Sequence, residues 1–151
     1  MEILVVVAII GFLATMAVSS FLAMSEKYKV EAETKQLYAD LMDVRGRAMQ
    51  RNRFHFVRFT DPYTYATFDD SNPFPDGDGA LNAGDNQVTS VTVKHTITAA
   101  DFDFNRNGIP NVTDNFVLSS TANADYDCIT IRDTRIKMGK RIGTGRVCVE
   151  K

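Results

Sequence analysis

Proline, histidine and cysteine are scarce in this sequence, and glycine is scarce in its first third. No proline occurs before Pro62, and the first 52 residues contain only two glycines, Gly11 and Gly46. Because proline and glycine are the residues that most often end or weaken a helix, nothing in that stretch interrupts a helical pattern. The two cysteines lie 20 residues apart and near no histidine. This spacing excludes a CxxC redox motif and gives no indication of a zinc site.

Motifs for catalysis are also missing. His55 and His95 are single histidines in strand-like segments, and neither falls in a nucleophile, metalloprotease or phosphate-binding motif. Each is better explained as a strand side chain than as a catalyst or a ligand. The sequence therefore predicts a protein that is not an enzyme.

The most hydrophobic segment lies at the start of the chain. From Ile3 to Met24 only one glycine, one threonine and two serines interrupt the apolar residues, and Glu2 precedes them. An α-helix of this length can cross a hydrocarbon core about 30 Å thick. A carboxylate at the edge of such a segment is costly in lipid and suggests a functional site. The segment lacks a basic n-region, so it is not a plain secretory signal peptide.

The helical pattern continues without a break signal but becomes amphipathic. Charged residues fill the gaps between apolar positions, as on a helix with one buried face. We therefore predict one helix over about residues 1–52, on the order of 75 Å long, with an apolar half (1–24) and an amphipathic half (25–53). A small domain cannot bury such a rod, which needs lipid or neighbouring copies. The apolar positions of the second half are Tyr28, Val30, Leu37, Tyr38, Leu41, Val44, Ala48 and Met49.

Residues 54–151 have the pattern of an antiparallel β domain. Short β-branched or aromatic segments alternate with clusters of Pro, Gly, Asn and Asp, and Gly139, Gly143 and Gly145 suggest turns between the last strands. The predicted fold is α+β, a long N-terminal helix packed on a C-terminal antiparallel sheet. The predicted strands are Phe54–Phe59, Tyr65–Phe68, Val88–Lys94, Phe116–Leu118, Cys128–Arg132 and Arg146–Val149.

Cys128 and Cys148 fall in segments that can lie side by side. A disulfide in an oxidising compartment is the favoured interpretation, and two buried free thiols on neighbouring strands are the alternative. Closing a loop of this size would stabilise the fold by roughly 3 kcal/mol.

Charge is distributed unevenly along the chain. Residues 60–127 carry 2 basic and 11 acidic groups, a net charge of −9, whereas residues 128–151 carry 7 basic and 2 acidic groups, a net charge of +5. The basic tail could contact the phosphates of a nucleic acid. A solvated strand face, or pairing with the acidic middle of a neighbouring subunit, is the favoured alternative. The candidate nucleic-acid contacts are Lys137, Lys140, Arg141 and Arg146.

The segment 103–114 fits a twelve-residue calcium loop. Oxygen-bearing side chains fall at positions 1, 3, 5, 9 and 12, a glycine at position 6, and position 7 would supply a backbone carbonyl. Calcium takes six to eight oxygen ligands, which alternating Asp and Asn can offer from a tight loop. An Asx-rich turn with solvated side chains is the alternative. The predicted ligands are Asp103, Asn105, Asn107, Ile109, Asn111 and Asp114.

A second, weaker calcium loop follows the same template from its third position onward. Its first position falls on Phe74, which has no ligating side chain, so Asp69, Asp70 or Asn72 would have to fold back across two prolines. A flexible acidic loop is the alternative. The predicted ligands of this second loop are Asp76, Asp78, Ala80, Asn82 and Asp85.

The apolar run that starts at Glu2 and contains Gly11 resembles the N-terminal signature of type IV pilins and type II secretion pseudopilins. The stretch 41–57 is similar to the GspH/FimT-like branch of that superfamily, and the segment 145–147 is more loosely similar to the branch's C-terminus. The family usually has three residues before the glutamate, where this sequence has Met1 alone. Ser19 stands where the family often has a proline, so a sharp kink is not expected.

The resemblance implies a pilin-like fold and a filament subunit. The chain would wait in the bacterial inner membrane as a single-pass protein and be processed by a prepilin peptidase, with a methylated N-terminus. Pilus or type II secretion machinery would then extract it into a helical homo-oligomeric filament in the periplasm or outside the cell. Glu2 would neutralise the N-terminal ammonium of an adjacent subunit, because a carboxylate inside a helix bundle must be paired. The alternative is a minor FimT-like pilin that binds DNA through the basic tail.

Overall fold

The computed structural model describes residues 2–75, 77–143 and 145–151, without the side chains of helical residues 2, 4, 8, 13–17 and 19. Over these residues the chain is α+β with antiparallel sheets, which confirms the predicted class. The elements are α1 (Glu2–Arg51), β1 (His55–Asp61), β2 (Thr64–Asp69), β3 (Asn86–Thr92), β4 (Thr96–Thr98), β5 (Phe102–Phe104), β6 (Asp114–Ser119), β7 (Cys128–Arg132), β8 (Arg135–Arg141) and β9 (Cys148–Glu150).

Helix α1 buries one stripe of its second half and ends at a defined cap. The buried positions recur every three or four residues, which places them on one face. Asn52 has a φ of 53°, and the Arg53 N–H donates to the Ala48 carbonyl oxygen at 3.2 Å. These two features form a Schellman cap, which satisfies a carbonyl at the helix end. The stripe consists of Val30, Thr34, Leu37, Leu41, Val44 and Ala48.

Two antiparallel sheets pack with this stripe around one core. The first has the strand order β3-β2-β1-β5 and the second the order β4-β6-β7-β8-β9. Aromatic side chains join the sheets: the Phe116 ring lies 5.2 Å from the Phe102 ring and 5.6 Å from the Phe59 ring. Apolar residues of α1 and of both sheets belong to the same buried cluster. The second half of the helix is therefore part of the domain core.

Cys128 and Cys148 form the predicted disulfide, with their Cα atoms 5.9 Å apart. The sequence suggested that the two strands that carry them lie side by side. In the structure β8 lies between these strands, β7 and β9. The bridge passes beside Gly139 of β8, where an added Cβ would lie 2.9 Å from the Cys148 Sγ atom and 2.3 Å from the Val149 carbonyl oxygen. Only a residue without a side chain fits there.

Gly139 also corrects a prediction about turns. It lies inside β8 and not in a turn between strands. The strand predicted over Arg146–Val149 is also shorter in the structure, where β9 covers Cys148–Glu150. Three strands, β4, β5 and β8, were not predicted. The sequence of β8 is rich in Arg and Lys, and β5 overlaps the start of the predicted calcium loop.

Candidate functional site

The first half of α1 exposes apolar side chains in every direction around the helix. Consecutive residues Val5, Val6 and Val7 are 59%, 54% and 61% exposed, and a helix turns about 100° per residue. Gly11 has no atom within 4 Å of an added Cβ. Among the described residues, no helix is both long and apolar enough to cross a membrane. The other large exposed apolar residues of this half are Ile3, Ile9, Ile10, Phe12, Val18, Phe21, Leu22 and Met24.

An apolar surface of this kind is normally in contact with lipid or with another protein surface. Soluble monomers rarely expose a contiguous apolar patch of more than a few hundred Å², and here the patch surrounds the helix. The backbone of Glu2 begins α1, but the predicted assembly contact of its side chain lies outside the described residues.

In the first predicted calcium loop, only part of the predicted ligand set is brought together. The side-chain amide of Asn111 donates from Nδ2 to Asp103 Oδ2 at 2.7 Å. Asn105 Oδ1 accepts the backbone N–H groups of Asn107 and Ile109 at 2.9 and 3.0 Å. Asp114, at the start of β6, instead pairs with Arg146.

Most oxygens of this loop already have hydrogen-bond donors. Asp103 Oδ1 also accepts from Arg58 at 3.0 Å, and the Ile109 carbonyl accepts the Asn105 N–H at 3.0 Å. The arrangement fits the Asx-rich turn. A calcium ion would have to displace Arg146 from Asp114 and rotate the Asn111 amide. Within the described residues, no group of three or more His, Cys, Asp and Glu is placed to hold a metal ion. That result does not bear on a calcium loop built from Asn and carbonyl oxygens.

The second loop is organised by a buried carboxylate. Asp70 is fully buried, and its oxygens accept the N–H groups of Asp78 at 3.1 Å and Gly79 at 2.8 Å. The predicted fold-back across the prolines thus involves Asp70, which binds backbone N–H groups. Asp85 Oδ2 accepts the Asn82 N–H at 2.7 Å. The Ala80 N–H donates to Asp78, and the predicted ligand Asp76 lies outside the described residues.

Calcium remains a prediction with a direct test. We expect calcium at about 100 times its dissociation constant to raise the unfolding free energy of the detergent-solubilised chain by about 2.7 kcal/mol. Asp103→Asn should abolish the part of the increase that comes from the first loop. Asp133→Asn, which changes an exposed carboxylate that accepts from Thr113, is the matched control. Melting curves with calcium and with a chelator measure the effect, and coinciding curves would establish the Asx turn.

Two of the four candidate nucleic-acid contacts in the basic tail pair with carboxylates of the same chain. Lys137 lies 2.9 Å from Glu150, and Arg146 pairs with Asp114. The Arg141 guanidinium donates to the Ser120 carbonyl at 3.3 Å, whereas Lys140 has no ion-pair partner among the described residues. The carboxylates that pair with Lys137 and Arg146 are in the same subunit, which the sequence did not indicate.

A buried polar cluster at the end of α1 was missed in the sequence. His55 is fully buried opposite Asp69 on the neighbouring strand, and His55 Nε2 lies 3.6 Å from Asp69 Oδ1. Arg51 donates to the other Asp69 oxygen at 2.5 Å. Burial lowers the pKa of His55 although Asp69 opposes the shift. The folded chain therefore favours the neutral imidazole, and protonation below about pH 6.5 favours unfolding.

A second cluster joins the β3–β4 connection to α1. His95 Nδ1 lies 2.7 Å from Glu33 Oε2, and His95 Nε2 lies 2.8 Å from Glu26 Oε1. Glu26 and His95 also line an open groove together with Ser119 and Ser120. Since both ring nitrogens already contact carboxylates, neither can serve as a general base for a serine hydroxyl. The cluster therefore fits a structural role.

Comparison of the chain with protein-family models, curated proteins and solved structures finds no match.

Proposed function

We propose that this chain is a structural subunit of an extracellular type IV pilus-like or pseudopilus filament. The observation that supports it most is that one helix joins two different surfaces. The second half of α1 is part of the domain core, and the first half exposes large apolar side chains all round. The helix holds 50 residues, and a domain of this size can cover only one part of it.

The exposed apolar side chains of the first half of α1 would gain much stability from burial. Full burial of one Val, Leu, Ile or Phe side chain contributes on the order of 1.5–3 kcal/mol, and eleven large apolar residues between Ile3 and Met24 are more than half exposed. Lipid can cover them in a single subunit, and copies of the same helix can cover them in a filament. We propose both states in succession: the inner membrane before assembly and a helix-lined core afterwards.

Glu2 has a specific role in this proposal. A carboxylate beside an apolar helix is costly in a water-excluded core unless a cation is near. The resemblance to the pilins supplies that cation, the N-terminal ammonium of a neighbouring copy in the filament. The disulfide-linked β domain would coat the core, with calcium as a further brace if the Asp103 loop binds it.

Photo-crosslinking tests the proposal in living cells. We expect a photoreactive phenylalanine at Ile10, which is 60% exposed, to give products between copies of this chain. The same probe in a Glu2→Ala background controls for contacts between unassembled subunits in the membrane. Copy-to-copy products should be strongly reduced in that background. Equal yields in both, or products with lipid alone, would contradict the proposal.

A further inference from the structure

His95 is held between two carboxylates of α1. The ring is 9% exposed, and its Nδ1 and Nε2 atoms lie 2.7 Å from Glu33 and 2.8 Å from Glu26. Glu33 also accepts the backbone N–H groups of Lys94 at 3.1 Å and His95 at 3.2 Å. The glutamates are seven residues apart, which places them two turns apart on one helix face.

With Glu26 and Glu33 both ionised, the two contacts require a doubly protonated His95 ring. An ionised carboxylate can only accept hydrogen bonds, and a neutral imidazole has a single N–H to donate. Both contacts of His95 are therefore satisfied only by the imidazolium. Burial by itself disfavours this charge, but the hydrogen bonds to Glu33 and Glu26 outweigh it and raise the pKa of His95.

The surrounding charges are few. Lys29 lies 3.2 Å from Glu26 on the same helix, and Arg141 of β8 lines the groove with Glu26 and His95. The residues at the end of β6 and the start of the β6–β7 connection that line this groove, 119–121, are uncharged. Lys29 and Arg141 compete with the imidazolium for Glu26, whereas Glu33 is engaged by His95 and its neighbouring backbone.

We propose that Glu26, Glu33 and His95 form a proton-dependent latch that fixes the β domain to α1 directly after the apolar half. When the imidazolium loses a proton, one ring nitrogen presents a lone pair to a carboxylate. Glu26, with its side chain 42% exposed, can turn to water, whereas Glu33, 14% exposed, is held by two backbone N–H groups. The latch thus opens on its Glu26 side.

A second set of contacts between the same part of α1 and the β domain does not depend on the His95 proton. Lys27 lies 2.6 Å from Asp125, and Glu31 accepts the Asp125 N–H at 3.0 Å. Because the hydrogen bond between Lys27 and Asp125 raises the pKa of Lys27 and lowers that of Asp125, this pair keeps its charge near neutral pH and the domain stays attached there. Opening of the latch consequently loosens one side of the junction without detaching the domain.

The direction of the pH effect follows from the raised pKa. The latch contributes its full stability below the ordinary histidine pKa of about 6.5, and the contribution is lost as the pH rises through the folded-state value. His55 responds in the opposite direction, since its pKa is lowered. The two histidines can therefore be distinguished in one titration.

Histidine NMR of the full chain in detergent micelles tests the latch. With only two histidines in the sequence, His95→Gln assigns both ring signals. We expect His95 to titrate above the ordinary value in the native chain, and to move down in both Glu26→Gln and Glu33→Gln. Asp43→Asn, which alters a helix carboxylate paired with Arg47, should leave it unchanged. A His95 pKa at or below the ordinary value would overturn the proposal.

Hydrogen exchange gives a readout that a merely structural contact would not move. After correction for intrinsic rates, protection of amides 26–34 should fall by about tenfold as His95 deprotonates, the scale of one charge-assisted hydrogen bond. In His95→Gln the protection should not depend on pH over the same range. Protection of amides 26–34 that does not change with pH in the native chain would contradict the latch. Any effect on assembly rests on the proposed filament function, whereas these measurements on unassembled chains do not.

Discussion

No filaments are expected from cells whose only copy of this chain carries Glu2→Ala. Removal of the carboxylate leaves the neighbouring ammonium unpaired in a water-excluded core, and loss of one partner of a buried ion pair costs about 3–5 kcal/mol. At 1.4 kcal/mol per tenfold change, each subunit addition would weaken by at least about a hundredfold. Electron microscopy of shed filaments measures the outcome, and fractionation shows whether the variant still enters the membrane.

Two variants make this result specific. Glu2→Asp keeps the charge and should retain part of the assembly. Asp43→Ala removes a carboxylate that is 59% exposed and paired with Arg47 on the second half of α1, and it should assemble normally. Normal filament numbers from Glu2→Ala would refute the proposed role of Glu2.

Gly139→Ala is expected to destabilise the β domain strongly. The new Cβ would lie 2.3 Å from the Val149 carbonyl oxygen, and backbone atoms cannot rotate away as a side chain can. Overpacking costs about 1–3 kcal/mol, and failure of the adjacent disulfide to close would add about 3 kcal/mol. Urea unfolding and a free-thiol assay measure these two contributions separately.

Gly145→Ala is the matched control for Gly139→Ala. Gly145 precedes β9, and nothing lies within 4 Å of its added Cβ. We expect a stability change within about 0.5 kcal/mol and no free thiol. Equal stability of the two variants would show that β8 does not lie beside the disulfide as described.

Local patterns in the sequence predicted the helix and several strands. The buried stripe of α1 contains Val30, Leu37, Leu41, Val44 and Ala48, all of them apolar positions that recur at helical spacing. The disulfide was also predictable, because the chain has only two cysteines and both lie in strand-like segments. These features depend on nearby residues and on periodicity, which a single sequence records.

The remaining features depend on tertiary contacts. His95 is 62 and 69 residues from its glutamate partners, and the shared helix face of Glu26 and Glu33 gave the only hint. The strand β8 is polar and contains Gly139, so its pattern indicated a turn. Asp114 had two uses, a calcium ligand or a partner for Arg146, and only the pairing of distant segments distinguishes them.

The structure of the filament itself tests the central claim most directly. Filaments purified from cells that produce this chain should show, by electron cryomicroscopy, a repeating subunit with the β domain outside. Residues 3–24 of α1 should pack against the same residues of neighbouring copies, with Glu2 beside an N-terminal ammonium. Filaments that lack this chain, or a density in which the apolar half of α1 contacts no other copy, would contradict the account.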